Sequence, residues 1–243
     1  EETGVRPKPM VEIGGYPILW HIMKVYSHYG FDDFLILLGY RGYDIKRYFA
    51  DYFLHRSDVR FDLGANEMTV LDSNAESWQV TLVDTGMDTL TGGRIARARR
   101  HLEGERFLLT YGDGVADIDI AESVRHHEEC GGIATMTTCL SPGRFGVISL
   151  AEGNRVSRFE EKPTADGDRI NCGFFVCEPR IFDFLDNRDD LIFEREPMQN
   201  LAGMGGLFSY RHEGFWQPMD TLRDKHLLNE MWEAGDAPWK VWE

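Results

Sequence analysis

Four short stretches set charged side chains beside glycine or proline. "LLTYGDGVAD" places Asp113 between two glycines at the end of an apolar run, and "GFWQPMDTLRDK" places Asp220 just ahead of a helical pattern. "RFEEKP" puts Glu161 and Lys162 before Pro163, and "RPKP" holds Lys8 between Pro7 and Pro9. Carboxylates at the carboxyl ends of strands are natural ligands for Mg²⁺, which prefers oxygen donors and keeps several waters and substrate phosphates. A residue before proline is biased towards extended backbone, so both lysines should be held in place. Two fixed ammonium groups stabilise charge that builds on a transferring phosphoryl group. The chemistry these residues suit together is metal-assisted transfer to or from a phosphorylated small molecule. Each also has a plainer explanation. Gly-Asp-Gly is turn chemistry, an Asp before a helix caps it, and loop lysines are commonly just solvated.

Other chemistries find little support. There is no G-x-x-x-x-G-K-[ST], no G-x-G-x-x-G after a strand, no H-E-x-x-H and no G-x-S-x-G. "ADID" offers a D-x-D pair, Asp117 and Asp119, but it stands at a helix start, where acids cap and oppose the dipole. The adjacent His126 and His127 read as surface residues rather than as a metal pair. The net charge of −15 argues against nucleic acid, since the one dense basic cluster, "GGRIARARRH", fits a helix with a solvated arginine face. No apolar run approaches the roughly 20 residues that span a bilayer. Cys130, Cys139, Cys172 and Cys177 form no C-x-x-C and read as buried free thiols of a reducing cytoplasm.

The elements that must carry these residues alternate. "PILWHIMKVYSHYG" has helical spacing from Pro17 to Gly30, "FLILLGY" is a strand buried on both faces, and "YDIKRYFADYFLH" is helical again. "VRFDL", "MTVLD" and "WQVTLVDTG" read as strands, "TGGRIARARRHL" as a helix, "RFLLTYGDG" as a buried strand, "IDIAESVRHHEECGG" as a helix and "IATMTTCL" as a strand. From 141 onward short strands dominate, then short helices near 181–185 and 194–202 and a last helix, "LRDKHLLNEMWEAG". This predicts an α/β three-layer sandwich with a mostly parallel, Rossmann-like sheet. The 243 residues suit one domain, with a strand-rich second half from about 141 packed on the same sheet. The aromatic tail "APWKVWE" is apolar for a chain end and should dock, on its own domain or on a neighbouring subunit.

Taken together, the stretches "PKPMVEIGG", "VTLVDTG", "TGGR", "TYGDGVAD", "GRFG", "EKP", "GFFV" and "GFWQPMDTLRDK" resemble the sugar-1-phosphate nucleotidylyltransferases. "YGDG" and "EKP" mark the superfamily; the longer stretches are similar to its cytidylyl-transferring branch. The resemblance implies transfer of a cytidylyl group from CTP to glucose 1-phosphate, with Mg²⁺ held by Asp113 and Asp220. The same chemistry with UTP or dTTP, or a non-catalytic nucleotide-sugar binder, stands as the alternative. It implies that Lys8 steadies the nucleotide phosphates, that Lys162 holds the sugar phosphate, and that Glu161, with Gly146 and Asn171 nearby, meets the sugar. Thr85, Gly86, Gly92 and Arg94 would form the cytosine pocket, beside Gly112. The resemblance makes about 1–140 the nucleotide-binding half and 141–243 the sugar-binding half; a strand and a glycine-rich, arginine-bearing loop would precede Glu1, and the protein would be a cytoplasmic homo-oligomer. One departure stands at Asn171-Cys172-Gly173, where the family has Asn-Gly-Gly, so Cys172 adds a side chain beside the sugar site.

Overall fold

The computed structural model describes residues 6–102, 104–140, 147–150, 156–160 and 169–243. Its first turn departs from the sequence expectation. Lys8–Met10 is a single 3₁₀ turn rather than extended chain, closed by Met10 N–H to Pro7 O at 2.8 Å. Pro7 is extended (φ −64°, ψ 144°), and Pro9 sits at the start of the turn, where its missing amide is not needed.

Two short strands follow, β1 (Glu12–Ile13) and β2 (Tyr16–Pro17), then helix α1 (Ile18–His28). Eight of the eleven α1 residues are buried, so it is a central helix rather than a surface one. β3 (Asp33–Leu38) leads to α2 (Gly42–Ala50) and α3 (Tyr52–Arg56), which divide at Asp51 the single helix expected there. β4 (Ser57–Asp62) and β5 (Glu67–Ser73) make an antiparallel hairpin that leaves Phe61, Leu63, Met68 and Leu71 exposed.

β6 (Gln79–Asp84) pairs parallel with β3, and α4 (Thr91–Leu102) follows. Then come β7 (Phe107–Thr110), β8 (Gly114–Ala116), α5 (Ile120–Cys130) and β9 (Ala134–Leu140). β10 (Val147–Leu150) and β11 (Val156–Glu160) form a separate antiparallel pair. β12 (Arg169–Cys177), a 3₁₀ turn at Pro179–Phe184, α6 (Glu196–Gly203), β13 (Leu207–Arg211), β14 (Trp216–Pro218) and α7 (Leu222–Glu233) complete the chain.

The α/β class is as the sequence predicts, and the sheet is mixed. Its four-stranded part has the order β13-β9-β12-β7. β9 and β13 run parallel, while β12 enters between β9 and β7 antiparallel to both. The β12–β9 register shifts between Asn171 and Phe175, and Gly173 there has φ +80°. A glycine in the left-handed region is what such a bulge needs.

Separate apolar clusters line the two faces of β12. Cys172 and Phe174 pack with Val11, Ile18 and Trp239, whereas Phe175 and Cys177 pack with Ile95, Ile181 and Phe193. The odd spacing of Cys172 and Cys177 predicts this division. All four cysteines are free thiols. Among the described residues no helix is long and apolar enough to cross a membrane.

Candidate active site

Three of the four chemistry-bearing stretches meet at one place. Lys8 Nζ donates to Asp113 Oδ2 and to Asp220 Oδ1, both at 2.7 Å. The sheet brings the two aspartates together. β8 and β14 pair antiparallel with Gly114 opposite Pro218, and Met219 N–H bonds Asp113 O at 2.7 Å. Asp113 and Asp220 therefore flank the open end of one ribbon. Lys8 is delivered by its 3₁₀ turn, which rests on the same ribbon: a Cβ at Gly112 would stand 3.0 Å from Pro9 Cγ.

Asp220 does not cap the following helix. Thr221 does, through a capping box with Asp224: Thr221 Oγ1 accepts from Asp224 N–H, and Asp224 Oδ2 accepts from Thr221 N–H at 2.9 Å. Asp224 Oδ2 also accepts from the Asp220 amide at 3.1 Å. The Thr221–Asp224 pair thus satisfies the helix start and leaves the Asp220 carboxylate for Lys8.

All three side chains are partly exposed. Burial pulls the Lys8 pKa down, but hydrogen bonds to Asp113 and Asp220, and their charges, outweigh it and leave the ammonium above its ordinary value. Two oxygen-donor carboxylates converging on one cation, open to water on one side, form a donor set that fits Mg²⁺. Among the described residues no group of three or more His, Cys, Asp or Glu side chains is arranged as a metal site. A two-carboxylate arrangement leaves the remaining positions to water and phosphate.

A second cluster surrounds the loop after β6. Thr85 is buried, and its hydroxyl donates to Leu38 O at 2.8 Å. Arg94 turns inward from α4 and donates to Thr85 Oγ1 at 2.8 Å, Gly86 O at 2.9 Å and Leu38 O at 2.9 Å. Burial first, then the neighbouring Arg97, lowers its pKa. Arg97 also turns inward, to Thr85 O and to Asp189, both at 2.5 Å. The arginine face expected to be solvated is therefore partly spent on holding this loop. Gly86 has φ +91°, and a Cβ there would stand 2.7 Å from both Arg97 and Thr89. Gly92 lies against Leu191: its amide donates to Leu191 O at 2.9 Å and its own Cβ position is filled.

Asn171 lies on the far side of Tyr111. Its Oδ1 accepts from Gly173 N–H at 2.7 Å, which turns Nδ2 to the Tyr111 hydroxyl at 3.0 Å. Cys172 faces the other way, into the apolar cluster with Val11 and Phe174. Tyr111 bonds Glu194, whose second oxygen accepts from Thr91 Oγ1 at 2.7 Å. Arg97, Tyr111 and Glu194 are absent from the sequence-derived set. Tyr111 carried a signal, its place inside "TYGDG"; Glu194, in "IFEREP", carried none.

Gly146, Glu161 and Lys162 lie outside the described residues. The D-x-D pair is structural: Asp119 caps α5 by accepting from Glu122 N–H at 2.7 Å, and Asp117 faces His212 at 3.1 Å. His127 is buried rather than on the surface, with Nδ1 2.8 Å from Thr135 Oγ1 and Nε2 3.1 Å from Glu178. Apolar packing of α5 on the sheet draws it in, and those two partners satisfy its ring.

The comparisons with known proteins agree with one another. The family model for nucleotidyl transferase matches residues 3–200. A glucose-1-phosphate cytidylyltransferase of Salmonella typhimurium is 54% identical over 244 residues, covering 100% of this chain and 94% of that protein. A probable glucose-1-phosphate cytidylyltransferase of Bacillus subtilis is 44% identical over 242 residues, covering 100% and 94%. Among solved structures, HddC from Yersinia pseudotuberculosis aligns with a TM-score of 0.67 at 19% identity, covering 93% of this chain and 90% of that one. A putative glucose-1-phosphate thymidylyltransferase from Bacillus anthracis, in complex with a sucrose, aligns at 0.68 with 16% identity, covering 99% and 91%. The structures establish the α/β fold, and the sequence likeness goes further: the chain belongs to the nucleotidyl transferase family, among its glucose-1-phosphate cytidylyltransferases.

Proposed function

We propose that this protein transfers a cytidylyl group from CTP to α-D-glucose 1-phosphate, giving CDP-glucose and pyrophosphate. The observation that carries the reading is the convergence of Lys8, Asp113 and Asp220 at one ribbon end. An oxygen of the sugar phosphate bonds to the α-phosphorus of CTP as the bond from that phosphorus to the bridging oxygen breaks. Pyrophosphate leaves with the electron pair. Little covalent work falls to the protein, so its task is to position the reactants and neutralise charge.

Asp113 and Asp220 would hold Mg²⁺, which when bound supplies positive charge to the phosphate oxygens. Lys8 exchanges its carboxylate partners for nucleotide phosphate oxygens near the reacting centre. While Asp113 and Asp220 hold it, its pKa stays above the ordinary value, so Lys8 meets the phosphates as an ammonium. The loop of Thr85 and Gly86, braced by Arg94 and entered beside Gly92, would read the cytosine; Gly112 gives the triphosphate close backbone approach. Asn171 faces the sugar side. Lys162 would hold the sugar phosphate, with Glu161 and Gly146 at the sugar hydroxyls, by resemblance to the family.

The reading includes one domain with nucleotide-binding and sugar-binding halves, a cytoplasmic setting and a homo-oligomer. The exposed apolar residues of the β4–β5 hairpin support assembly, since patches of this kind mark interfaces. The test is Mg²⁺-dependent pyrophosphate release from CTP and glucose 1-phosphate, repeated with UTP and dTTP. CTP should be preferred at least tenfold. Equal turnover with UTP or dTTP would remove the cytidylyl assignment, and CDP-glucose binding without turnover would make the protein a binder only.

A further inference from the structure

Glu194 stands where the two halves of the proposed site touch. Four hydrogen bonds converge on its carboxylate, directly or through one intermediary. Tyr111 donates its hydroxyl to Oε1, and Thr91 donates its hydroxyl to Oε2 at 2.7 Å. Asn171 Nδ2 donates to the Tyr111 oxygen at 3.0 Å, and Phe193 N–H donates to Thr91 Oγ1 at 2.9 Å. Every donor points towards the one anion, so the bonds reinforce each other.

The parts joined this way come from distant elements. Thr91 opens α4, beside the Thr85–Gly86 loop. Tyr111 lies two residues before Asp113, and its amide bonds Gly173 O at 3.0 Å. The Tyr111 ring lies directly on Gly173, where a Cβ would fall 2.4 Å away. Asn171 has only one amide orientation left, because its oxygen is taken by Gly173 N–H. The segment carrying Glu194 is itself pinned to α4, with Leu90 N–H on Asp189 O at 2.8 Å and Gly92 N–H on Leu191 O at 2.9 Å.

We propose that Glu194 is a positioning residue for the reaction: its carboxylate ties the start of α4, on the nucleotide side, to Tyr111 and Asn171, on the sugar side, and sets the spacing between the two substrates. The inference rests on the proposed cytidylyl transfer. Removing the carboxylate frees the Tyr111 hydroxyl to rotate and leaves Asn171 without a fixed acceptor. The two substrate sites then lose their common reference, which raises both KM values. Burial first, and then the bond to Glu194, raise the Tyr111 pKa, so the phenol stays a donor at working pH.

The experiment compares wild type with Glu194→Ala, Glu194→Gln, Tyr111→Phe and the Glu194→Ala/Tyr111→Phe pair. KM for CTP, KM for glucose 1-phosphate, kcat and Tm are measured for each. Glu194→Ala should raise both KM values about tenfold, and Tyr111→Phe should raise that for glucose 1-phosphate about fivefold. The double variant should be no worse than Glu194→Ala, because both act through one chain of bonds. Glu194→Gln keeps two polar atoms in place and should recover to within about threefold of wild type. A lowered Tm with both KM values unchanged overturns the proposal, as do additive effects in the double variant. A wild type with no cytidylyl transfer at all would instead remove the reading on which the proposal rests.

Discussion

Lys8 and His21 belong to one short stretch of chain, and opposite kinds of contact hold them. Lys8 is half-buried and bonded to two carboxylates that are themselves partly exposed. His21 is fully buried, boxed by Trp232, Trp239 and Trp242 and by Trp20 on its own helix. Its Nε2–H donates to Ile13 O at 2.9 Å, and its Nδ1 accepts from Trp239 Nε1 at 3.3 Å. Gly14, between them, lies so close to Trp232 that a Cβ would fall 2.0 Å from the indole. A cation proposed to change partners during a reaction is kept where water can reach it. The frame that aims it is made of rings packed edge and face on one another, which holds geometry by shape rather than by a carboxylate pair.

Breaking the charged end should cost the most, and only in activity. Asp113→Ala or Asp220→Ala should lower turnover at least about 10³-fold, which is about 4 kcal/mol in the barrier. Tm should move little, with stability changed by about 1 kcal/mol at most, because each carboxylate is partly exposed and Lys8 keeps the other as its partner. Turnover and thermal unfolding on the same samples check this, and near-normal turnover in either variant would sink the two-carboxylate model.

Breaking the aromatic end should do the reverse. Trp239→Ala empties a fully buried site and should cost about 3–5 kcal/mol of stability, read by urea unfolding. A loss below about 1 kcal/mol would mean that the tail is not part of the frame.

The same end predicts a pH effect. Burial lowers the His21 pKa to about 4 from the ordinary 6.5, against the two backbone bonds that raise it. The folded state therefore favours the neutral ring, and between these values the unfolded chain binds more protons. The contribution is complete above about pH 6.5 and is lost as pH falls towards 4, by about 3 kcal/mol. An NMR titration should show the His21 ring unprotonated at pH 5.5, and protonation near 6.5 would contradict it.

The smallest expected effect joins the two ends. Thr221→Ala removes a helix cap and should cost about 1 kcal/mol. Because Asp224 also holds the Asp220 amide, turnover should fall by a few-fold more than stability alone explains. Unchanged turnover in the folded variant would separate the cap from the site.

The sequence displayed the site's reactive groups better than their supports. Asp113 and Asp220 were legible because glycine, proline and strand ends punctuate them. That Thr221, not Asp220, caps α7 was not legible, because both residues are good caps and only Lys8, 212 residues away, decides between them. Arg94 and Arg97 fitted a helix face, but periodicity does not say which loop packs on that face. Glu194 sits in a stretch with no periodic pattern, and its meaning comes entirely from Thr91 and Tyr111, at sequence distances of 103 and 83. The three-dimensional bulge at Gly173, similarly, is what separates Asn171 from Cys172.

The apolar cluster containing Val11, Ile13 and Ile18 is completed by Leu228 and Trp239, so widely separated parts of the chain share one core. A ribosome delivers these parts in order, and at 5–20 residues per second Val11 waits roughly 10–50 s for Trp239 to be made. Through that interval α1 exposes the apolar surface it will later bury, and Lys8 has no fixed aim. Nascent chains stalled shortly before Trp239 should thus be the species that chaperones hold, and Lys8 should become set only once Trp239 has emerged and packed.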